Sequence, residues 1–197
     1  MEFVFASGNK DKIKEARLLI SSQVKILSLT DIFCTGDIPE TSDTIEGNAL
    51  QKANYVFEKY GYNCFSDDTG LEIEALNGKP GTFSARYAGN EKNTEANIQK
   101  VLFDLNEINN RKARFKTAIA LIMGDEKIIF EGIVTGTILS EKRGNNGFGY
   151  DPIFVPDGYD KTFSEMSLLE KNKLSHRAKA FQKLMNYLNE HAHFASK

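Results

Sequence analysis

Residues 66–74 read Ser66-Asp67-Asp68-Thr69-Gly70-Leu71-Glu72-Ile73-Glu74, and they put two adjacent carboxylates directly after the apolar-leaning run Asn63-Cys64-Phe65. That run predicts a strand, and Gly70 predicts its end. Carboxylates at the point where a strand ends usually face a cleft rather than a core. An Asp pair that only caps a turn is the alternative. We favour a carboxylate site, because other segments of the chain carry cationic and glycine-rich patterns suited to an anionic ligand.

The composition predicts a soluble globular chain. Of its 197 residues, 41% are hydrophobic and 26% charged, which is enough for a substantial core. No run of about 18 apolar residues occurs, and the acidic start is unlike a signal peptide, so we expect no membrane partner. The net charge of −2 argues against a nucleic-acid partner. Cys34 and Cys64 lack metal or redox spacing, so we expect a reduced, cytoplasmic setting.

The N-terminal segment predicts an anion-binding turn. Residues Glu2–Ala6 are typical of a strand, and Ser7-Gly8-Asn9-Lys10-Asp11-Lys12 follows at once. The apolar spacing from Ile13 to Ile20 predicts a helix that begins near Lys10. Free backbone N–H groups and the positive end of the dipole favour an anion at such a helix start, and Lys10 and Lys12 add charge. The spacing is not that of a Walker loop, and a purely structural turn is the alternative.

The central part of the chain predicts a mixed α/β protein. Val24–Leu29 and Leu71–Leu76 are typical of strands. Ala113–Met123 and Lys127–Leu139 predict two long strands joined as a hairpin, so the sheet is mixed rather than wholly parallel. The apolar stripe from Ala49 to Tyr60 predicts a helix between these strands.

Three acidic residues precede or begin that helix. Asp43 and Glu46 have the spacing of a capping box, which gives Glu46 a structural role. Glu40 follows a proline in a loop and has no evident structural role. Either glutamate could still be an ordinary surface charge.

Residues 144–151, Gly144-Asn145-Asn146-Gly147-Phe148-Gly149-Tyr150-Asp151, combine three glycines with two aromatic residues. Glycines allow a close approach of the backbone to a ligand, and an exposed ring offers a stacking face for a base. A tight turn with both rings in the core is the alternative. The pattern lacks the context of a dinucleotide fingerprint.

The C-terminal third places cations near the start of a helix. Ser167 and Glu170 form a predicted capping box, and Lys171, His176 and Arg177 follow. The helix dipole disfavours positive charge at that end, so these residues suggest an anionic ligand. Solvated helix polarity is the alternative.

Together these segments resemble the inosine/xanthosine triphosphate pyrophosphatase family over nearly the whole length. The motifs that carry the resemblance, in chain order, are Ser7-Gly8-Asn9-Lys10-x-Lys12, Glu46-x-Asn48-Ala49, Asp67-Asp68-Thr69-Gly70-Leu71, Pro80-Gly81-x-x-Ser84-Ala85-Arg86-Tyr87, Gly147-Phe148-Gly149-Tyr150-Asp151-Pro152 and Ser175-His176-Arg177. The resemblance implies an α/β fold that is elongated and two-lobed, with a long mixed central sheet flanked by helices and the active site in the cleft between the lobes. It also implies a homodimer and a single nucleoside-triphosphate pyrophosphatase domain over residues 1–197.

The resemblance also implies roles for individual residues. Asp68 would be the proton acceptor and a Mg²⁺ ligand, and Glu40 would be the second metal carboxylate, with Glu46 and Asp67 as alternatives. Thr69 would contact the substrate. The further residues implied to bind it are Ser7, Gly8, Asn9, Lys10, Asp11 and Lys12 for the triphosphate, Phe148, Gly149, Tyr150 and Asp151 for the base and sugar, and Lys171, His176 and Arg177 to complete the site.

The implied activity is hydrolysis of ITP, dITP and XTP to the monophosphate and pyrophosphate. Water would attack the α-phosphorus, with Asp68 as base and Mg²⁺ and lysines neutralising the leaving group. His176 and Arg177 carry donors that suit a six-oxo purine and oppose the amine of adenine. Two alternatives are a septum-inhibitor-type pyrophosphatase that prefers other bases and a non-catalytic nucleotide-binding regulator.

Overall fold

The computed structural model describes residues 1–191. Its core is a mixed seven-stranded sheet with the order β2-β1-β3-β5-β6-β7, in which β4 pairs with β3. Strand β1 is parallel to β2 and β3, and β6 is antiparallel to β7. The elements are β1 Glu2–Phe5, α1 Lys10–Leu19, β2 Lys25–Leu27, α2 Ile45–Tyr60, β3 Cys64–Ile73, β4 Pro80–Gly81, α3 Thr94–Asp104, β5 Lys112–Met123, β6 Glu126–Ile138, β7 Phe154–Pro156, α4 Leu168–Lys171 and α5 His176–Glu190. The predicted α/β fold with a mixed sheet is confirmed.

The chain forms two compact units. The first unit comprises Met1–Asp68, Thr117–Gly132 and the chain from Arg177 onward, and the second comprises Thr69–Lys116 and Ile133–His176. Strands β3, β5 and β6 each contribute residues to both units. The single domain over residues 1–197 and the cleft between lobes stay predictions.

The first unit covers its part of the sheet on both faces. Phe5 and Phe65 stack with their ring centroids 4.9 Å apart and pack with apolar residues of α1 and α5. Val4 and Cys64, the neighbours of those two residues, pack with α2 instead. Successive side chains of a strand point to opposite faces, so both faces of β1 and β3 are apolar and both carry helices.

The second unit has its own core around Phe115. The Phe115 ring lies 4.7 Å from the ring of Phe154 and 6.1 Å from that of Phe163. Helix α3 closes the same cluster through Ile98 and Val101. The glycine-rich loop and the residues just before α5 contribute side chains to this core.

Strand β3 corrects the prediction that Gly70 ends a strand. It continues through Gly70 to Ile73, and β4 pairs with it beyond that point, with Leu71 opposite Gly81. Gly70 is buried, and a glycine is tolerated inside a strand where pairing on the sheet holds the backbone extended. Asp67 and Asp68 therefore lie within a strand and not at its end.

Helix starts account for another correction. Thr44 is the N-cap of α2 and its hydroxyl accepts the N–H of Gly47 at 3.0 Å, so the predicted Asp43–Glu46 capping box is wrong by one residue. The Ser167–Glu170 capping box is confirmed.

The predicted β5–β6 hairpin is also confirmed, and its strands are joined by the turn Gly124-Asp125.

Candidate active site

The candidate residues divide between the two units. Those predicted to bind phosphate and metal lie in the first unit, as does Arg177, whereas those predicted to hold the base lie in the second. The first set is Ser7, Gly8, Asn9, Lys10, Asp11, Lys12, Glu40, Asp68 and Arg177, and the second is Thr69, Phe148, Gly149, Tyr150, Asp151, Lys171 and His176.

The N-terminal turn is a capped helix start. The side-chain oxygen of Asn9 accepts the N–H groups of Asp11 at 2.9 Å and Lys12 at 3.0 Å, and the Ser7 hydroxyl accepts the N–H of Asn9 at 3.3 Å. These side chains use backbone donors that the sequence interpretation assigned to an anion. Lys10 is exposed, whereas Lys12 is held by a carboxylate. The phosphate site at this turn stays a prediction, with Lys12 as its best-fixed cation.

Asp67 belongs to a cluster of four charged side chains. Lys12 Nζ lies 3.2 Å from Asp67 Oδ1, and Arg177 Nε donates to Asp67 Oδ2 at 3.1 Å. A second guanidinium nitrogen of Arg177 donates to Glu15. Burial alone would raise the pKa of Asp67, but the charges of Lys12 and Arg177 outweigh it and lower that pKa to about 2.

The cluster bears on the predicted role of Arg177. Its side chain is only 1% exposed, and both contacts described above are with carboxylates of the first unit. Base reading by Arg177 stays a prediction. Glu15 was missed by the sequence interpretation, since a glutamate in the second turn of a helix ordinarily faces water.

Lys52 bridges the two predicted metal carboxylates. Its ammonium lies 2.5 Å from Glu40 Oε1 and 3.3 Å from Asp68 Oδ1. Burial lowers the pKa of Lys52, but Asp68 and Glu40 raise it above its usual value. Burial also raises the pKa of Asp68, and the neighbouring carboxylates of Glu40 and Asp67 add to this against the lysines. The pKa values of Lys52 and Asp68 are both raised in part because several carboxylates meet at one point.

Lys52 was also missed by the sequence interpretation, although a signal was present. It lies on the buried stripe of α2 next to Ala49 and Ala53. A lysine at a buried-stripe position is rare unless it is paired. That position alone would have identified it as a candidate.

The carboxylates of Glu40 and Asp68 suit a divalent cation. Within residues 1–191, no group of three or more His, Cys, Asp or Glu side chains could hold a metal. Mg²⁺, however, is usually bound by one or two carboxylates together with substrate phosphates and water. The Lys52 ammonium between Glu40 and Asp68 demonstrates that this point accepts positive charge. Of the alternatives, Asp67 is engaged by Lys12 and Arg177, and Glu46 lies in the first turn of α2.

In the second unit, Asp151 organises the glycine-rich loop. Its Oδ2 accepts the N–H of Phe148 at 2.9 Å and the ammonium of Lys171 at 2.7 Å, and both charged side chains are 4% exposed. The Lys171 ammonium also lies 4.8 Å from the centre of the Phe148 ring. A side chain at Gly147 would put its Cβ 2.2 Å from Asp151 Oδ2, and φ there is +75°. Only glycine at 147 permits this carboxylate position.

The other predicted base residues are largely in the core. The Tyr150 ring is buried and its hydroxyl donates to the carbonyl of Ser84 at 2.8 Å, so this ring has no open stacking face. His176 is also buried, and its ring stacks on Phe115 with centroids 4.6 Å apart. Phe148 is the partly exposed aromatic residue of the loop. The buried-ring alternative is therefore correct for Tyr150.

Comparisons with known proteins identify the family of this chain. A dITP/XTP pyrophosphatase of Flavobacterium psychrophilum is 55% identical over 187 residues, which is 95% of this chain and 98% of that protein. The dITP/XTP pyrophosphatase of Porphyromonas gingivalis is 50% identical over 188 residues, or 95% and 97% of the two chains. The structure of the Staphylococcus aureus Ham1 protein matches with a TM-score of 0.89 and 38% identity, covering 97% of this chain and 100% of that one. A family model described as the Ham1 family matches residues 3–187. The predicted resemblance is confirmed, and this chain belongs to the Ham1 family.

Proposed function

We propose that this protein hydrolyses deaminated purine nucleoside triphosphates, namely ITP, dITP and XTP, to the monophosphate and pyrophosphate. The observation that carries the proposal is the meeting of Asp68 and Glu40 at the ammonium of Lys52. This places a partly exposed carboxylate beside a cation position, as hydrolysis of a phosphoanhydride requires. Relatives that bear the name dITP/XTP pyrophosphatase support the same reaction.

Asp68 is the group that would act on water. Its side chain is 14% exposed, whereas that of Asp67 is fully buried and engaged by two cations. Burial raises the pKa of Asp68, which makes it a better proton acceptor than an ordinary aspartate. Asp68 would therefore orient and deprotonate the water that attacks the α-phosphorus.

Lys12 and Lys52 would neutralise the triphosphate. Both ammonium groups are held by carboxylates, Lys12 by Asp67 and Lys52 by Glu40 and Asp68. A phosphate oxygen would take a place beside each ammonium without a large movement of the side chain. Glu40 and Asp68 would hold Mg²⁺, which when bound supplies further neutralisation of the developing charge.

Base choice would rest on Asp151 and Lys171, in addition to the donors of His176 and Arg177 that the resemblance implies. A carboxylate only accepts hydrogen bonds and an ammonium only donates them. Hypoxanthine and xanthine present an N–H at position one and an oxygen at position six, which match this pair, whereas adenine presents the opposite pattern. The Phe148 ring, held under the Lys171 ammonium on one side, would stack the base.

Product analysis tests this function. The protein is incubated with ITP and Mg²⁺ and the phosphorus product is identified; we expect pyrophosphate, and orthophosphate would refute the reaction. Comparing ITP with UTP and dTTP separates this activity from that of a septum-inhibitor-type pyrophosphatase. Nucleotide binding without turnover would favour a regulator. We further propose a cytoplasmic homodimer, and sedimentation of the purified protein tests its oligomeric state. No helix within residues 1–191 is apolar and long enough to span a membrane.

A further inference from the structure

A cavity of about 490 Å³ in the first unit is lined by one face of helix α1 and by the loop after β2. Three cations of the helix line it, Lys10, Lys14 and Arg17. Their spacing of four and three residues places them on the same side of the helix. Lys10 also belongs to the predicted phosphate turn, whereas Lys14 and Arg17 belong to no candidate site described above.

The positive charge of this face is not balanced by neighbouring carboxylates. No acidic residue lines the cavity, and within residues 1–191 Lys10, Lys14 and Arg17 form no ion pair. The glutamate of the same helix, Glu15, is buried and pairs with Arg177 instead. Like charges four residues apart on a helix repel each other, so helix stability does not explain the row of cations.

The loop that lines the cavity is held by its own aspartate. Asp31 Oδ2 accepts the N–H and the hydroxyl of Ser28, both at 2.7 Å, and Ser28 Oγ lies 2.7 Å from Thr30 Oγ1. These bonds from Ser28 lower the pKa of Asp31, and the charge of Arg17 adds a smaller effect. Asp31 is thus engaged within the loop, and the rotatable Thr30 hydroxyl is placed where it can donate to a ligand.

The dimensions of the cavity indicate the class of ligand. Along the helix axis Lys10 and Lys14 are about 6 Å apart, and Arg17 lies about 10 Å from Lys10. A row of that length matches an anion with more than one phosphate group better than a single phosphate. Ile13 and the 55% exposed Leu18 add apolar surface to the lining, and pockets of about 300–1,000 Å³ hold small organic ligands.

We propose that this cavity is a second anion-binding site, which takes a ligand with a diphosphate group, either inorganic pyrophosphate or a nucleoside diphosphate. The inference goes beyond the proposed function and does not depend on it, because Lys14 and Arg17 take no part in the candidate active site. Binding through exposed cations weakens as ionic strength rises, since salt screens such charges.

Nuclear magnetic resonance of the ¹⁵N-labelled protein tests the site directly. Pyrophosphate and ADP are titrated separately, with chelator present so that no hydrolysis is measured. We expect saturable shifts of the amide signals of Lys14, Ser28 and Thr30 with at least one of the two ligands. The dissociation constant comes from these signals, so binding at the predicted phosphate turn does not enter it.

The variants Lys14→Ala and Arg17→Ala remove one cation each. Each is expected to weaken the binding reported by Ser28 and Thr30 by about 3- to 10-fold, because both cations are partly screened by water. Lys183→Ala is the matched control, since Lys183 is an exposed lysine of α5 in the same unit. It should leave the dissociation constant unchanged within about twofold.

The two ligands distinguish the source of the diphosphate group. Tighter binding of ADP, with further shifts at Ile13 and Leu18, would assign the site to a nucleotide. Tighter binding of pyrophosphate, without those shifts, would assign it to the inorganic anion.

Three results would overturn the inference. Shifts confined to residues 7–12 would mean that the cavity binds neither ligand. Equal dissociation constants for the wild type and a Lys14→Ala/Arg17→Ala double variant would mean that these cations hold no anion. An equal loss in Lys183→Ala would mean that only the net charge of the protein matters. None of these results depends on whether the protein releases pyrophosphate from ITP.

Discussion

Asp67→Asn is expected to destabilise this protein strongly, because it removes one carboxylate from a cluster in which Asp67 and Arg177 are almost fully buried. The amide keeps the size of the side chain but leaves Arg177 and Lys12 facing one negative charge fewer. Breaking a buried ion pair on one side typically costs about 3–5 kcal/mol.

The pKa of Asp67 gives a second magnitude. Despite burial, Lys12 and Arg177 lower that pKa from 3.8 to about 2. At about 1.4 kcal/mol for each pKa unit, the ionised form is favoured in the folded state by about 2 kcal/mol. This figure compares only the two protonation states of Asp67, so the cost of breaking the ion pairs is the guide to the loss expected for the variant at neutral pH.

The sign of the pH dependence follows from the lowered pKa. The contribution of Asp67 is fully present above the pKa of the unfolded chain, near 3.8, and is lost as pH falls through about 2. Between these values the free energy of unfolding of the wild type should fall by about 2 kcal/mol more than that of Asp67→Asn. Urea unfolding followed by circular dichroism from pH 7 to pH 2, with chelator present, measures both quantities.

Asp37→Asn is the control for this measurement, because Asp37 is an exposed aspartate of the first unit. It should change the free energy of unfolding by less than about 0.5 kcal/mol. If Asp67→Asn were as stable as this control at pH 7, and had the same slope below pH 4, the ion pairs would not hold Asp67 ionised and the account of the cluster would be wrong.

Three other predictions concern the reaction and the glycine-rich loop. Asp68→Asn should lower kcat by about 10²-fold or more at unchanged circular dichroism, and activity within about tenfold of wild type would refute its role as base. Chelation should abolish ITP turnover and Mg²⁺ should restore it; full activity in excess chelator would disprove the metal proposal. Gly147→Ala should be less stable to urea than Gly149→Ala by about 1–3 kcal/mol. Both glycines have positive φ, but only at 147 would a Cβ meet Asp151, so equal losses would contradict that contact.

Local elements were predictable from the sequence because their causes are local. The start of α1 at Lys10 follows from the capping residue Asn9, and the β5–β6 hairpin follows from two apolar strands around Gly124-Asp125. The family could be predicted for a related reason. Its motifs are short and occur in a fixed order along the chain, so they can be recognised without any knowledge of packing.

The partners of buried charges were not predictable. Glu15 and Lys52 lie in helices, where a charged residue ordinarily faces water. Packing of the helices brings Glu15 to the guanidinium of Arg177 and Lys52 to the carboxylate of Asp68. The partners of Arg177 lie 110 and 162 residues away in sequence. The continuation of β3 past Gly70 was missed for the same reason, since pairing with a neighbouring strand overrides the local tendency of glycine to end one.

The alternation of β3 explains why two adjacent aspartates have opposite environments. Ser66 donates to the carbonyl of Ala49 and Asp68 contacts Lys52, both in α2, whereas Asp67 contacts Arg177 in α5. Had the two aspartates stood in a loose turn, the backbone would not have fixed which carboxylate faced which helix. In a strand the period of two fixes it, and a shift of one residue would exchange their surroundings. Asp67 is thereby held ionised by the buried guanidinium of Arg177 and the partly buried ammonium of Lys12, and Asp68 is left partly exposed with a raised pKa, as a proton acceptor must be.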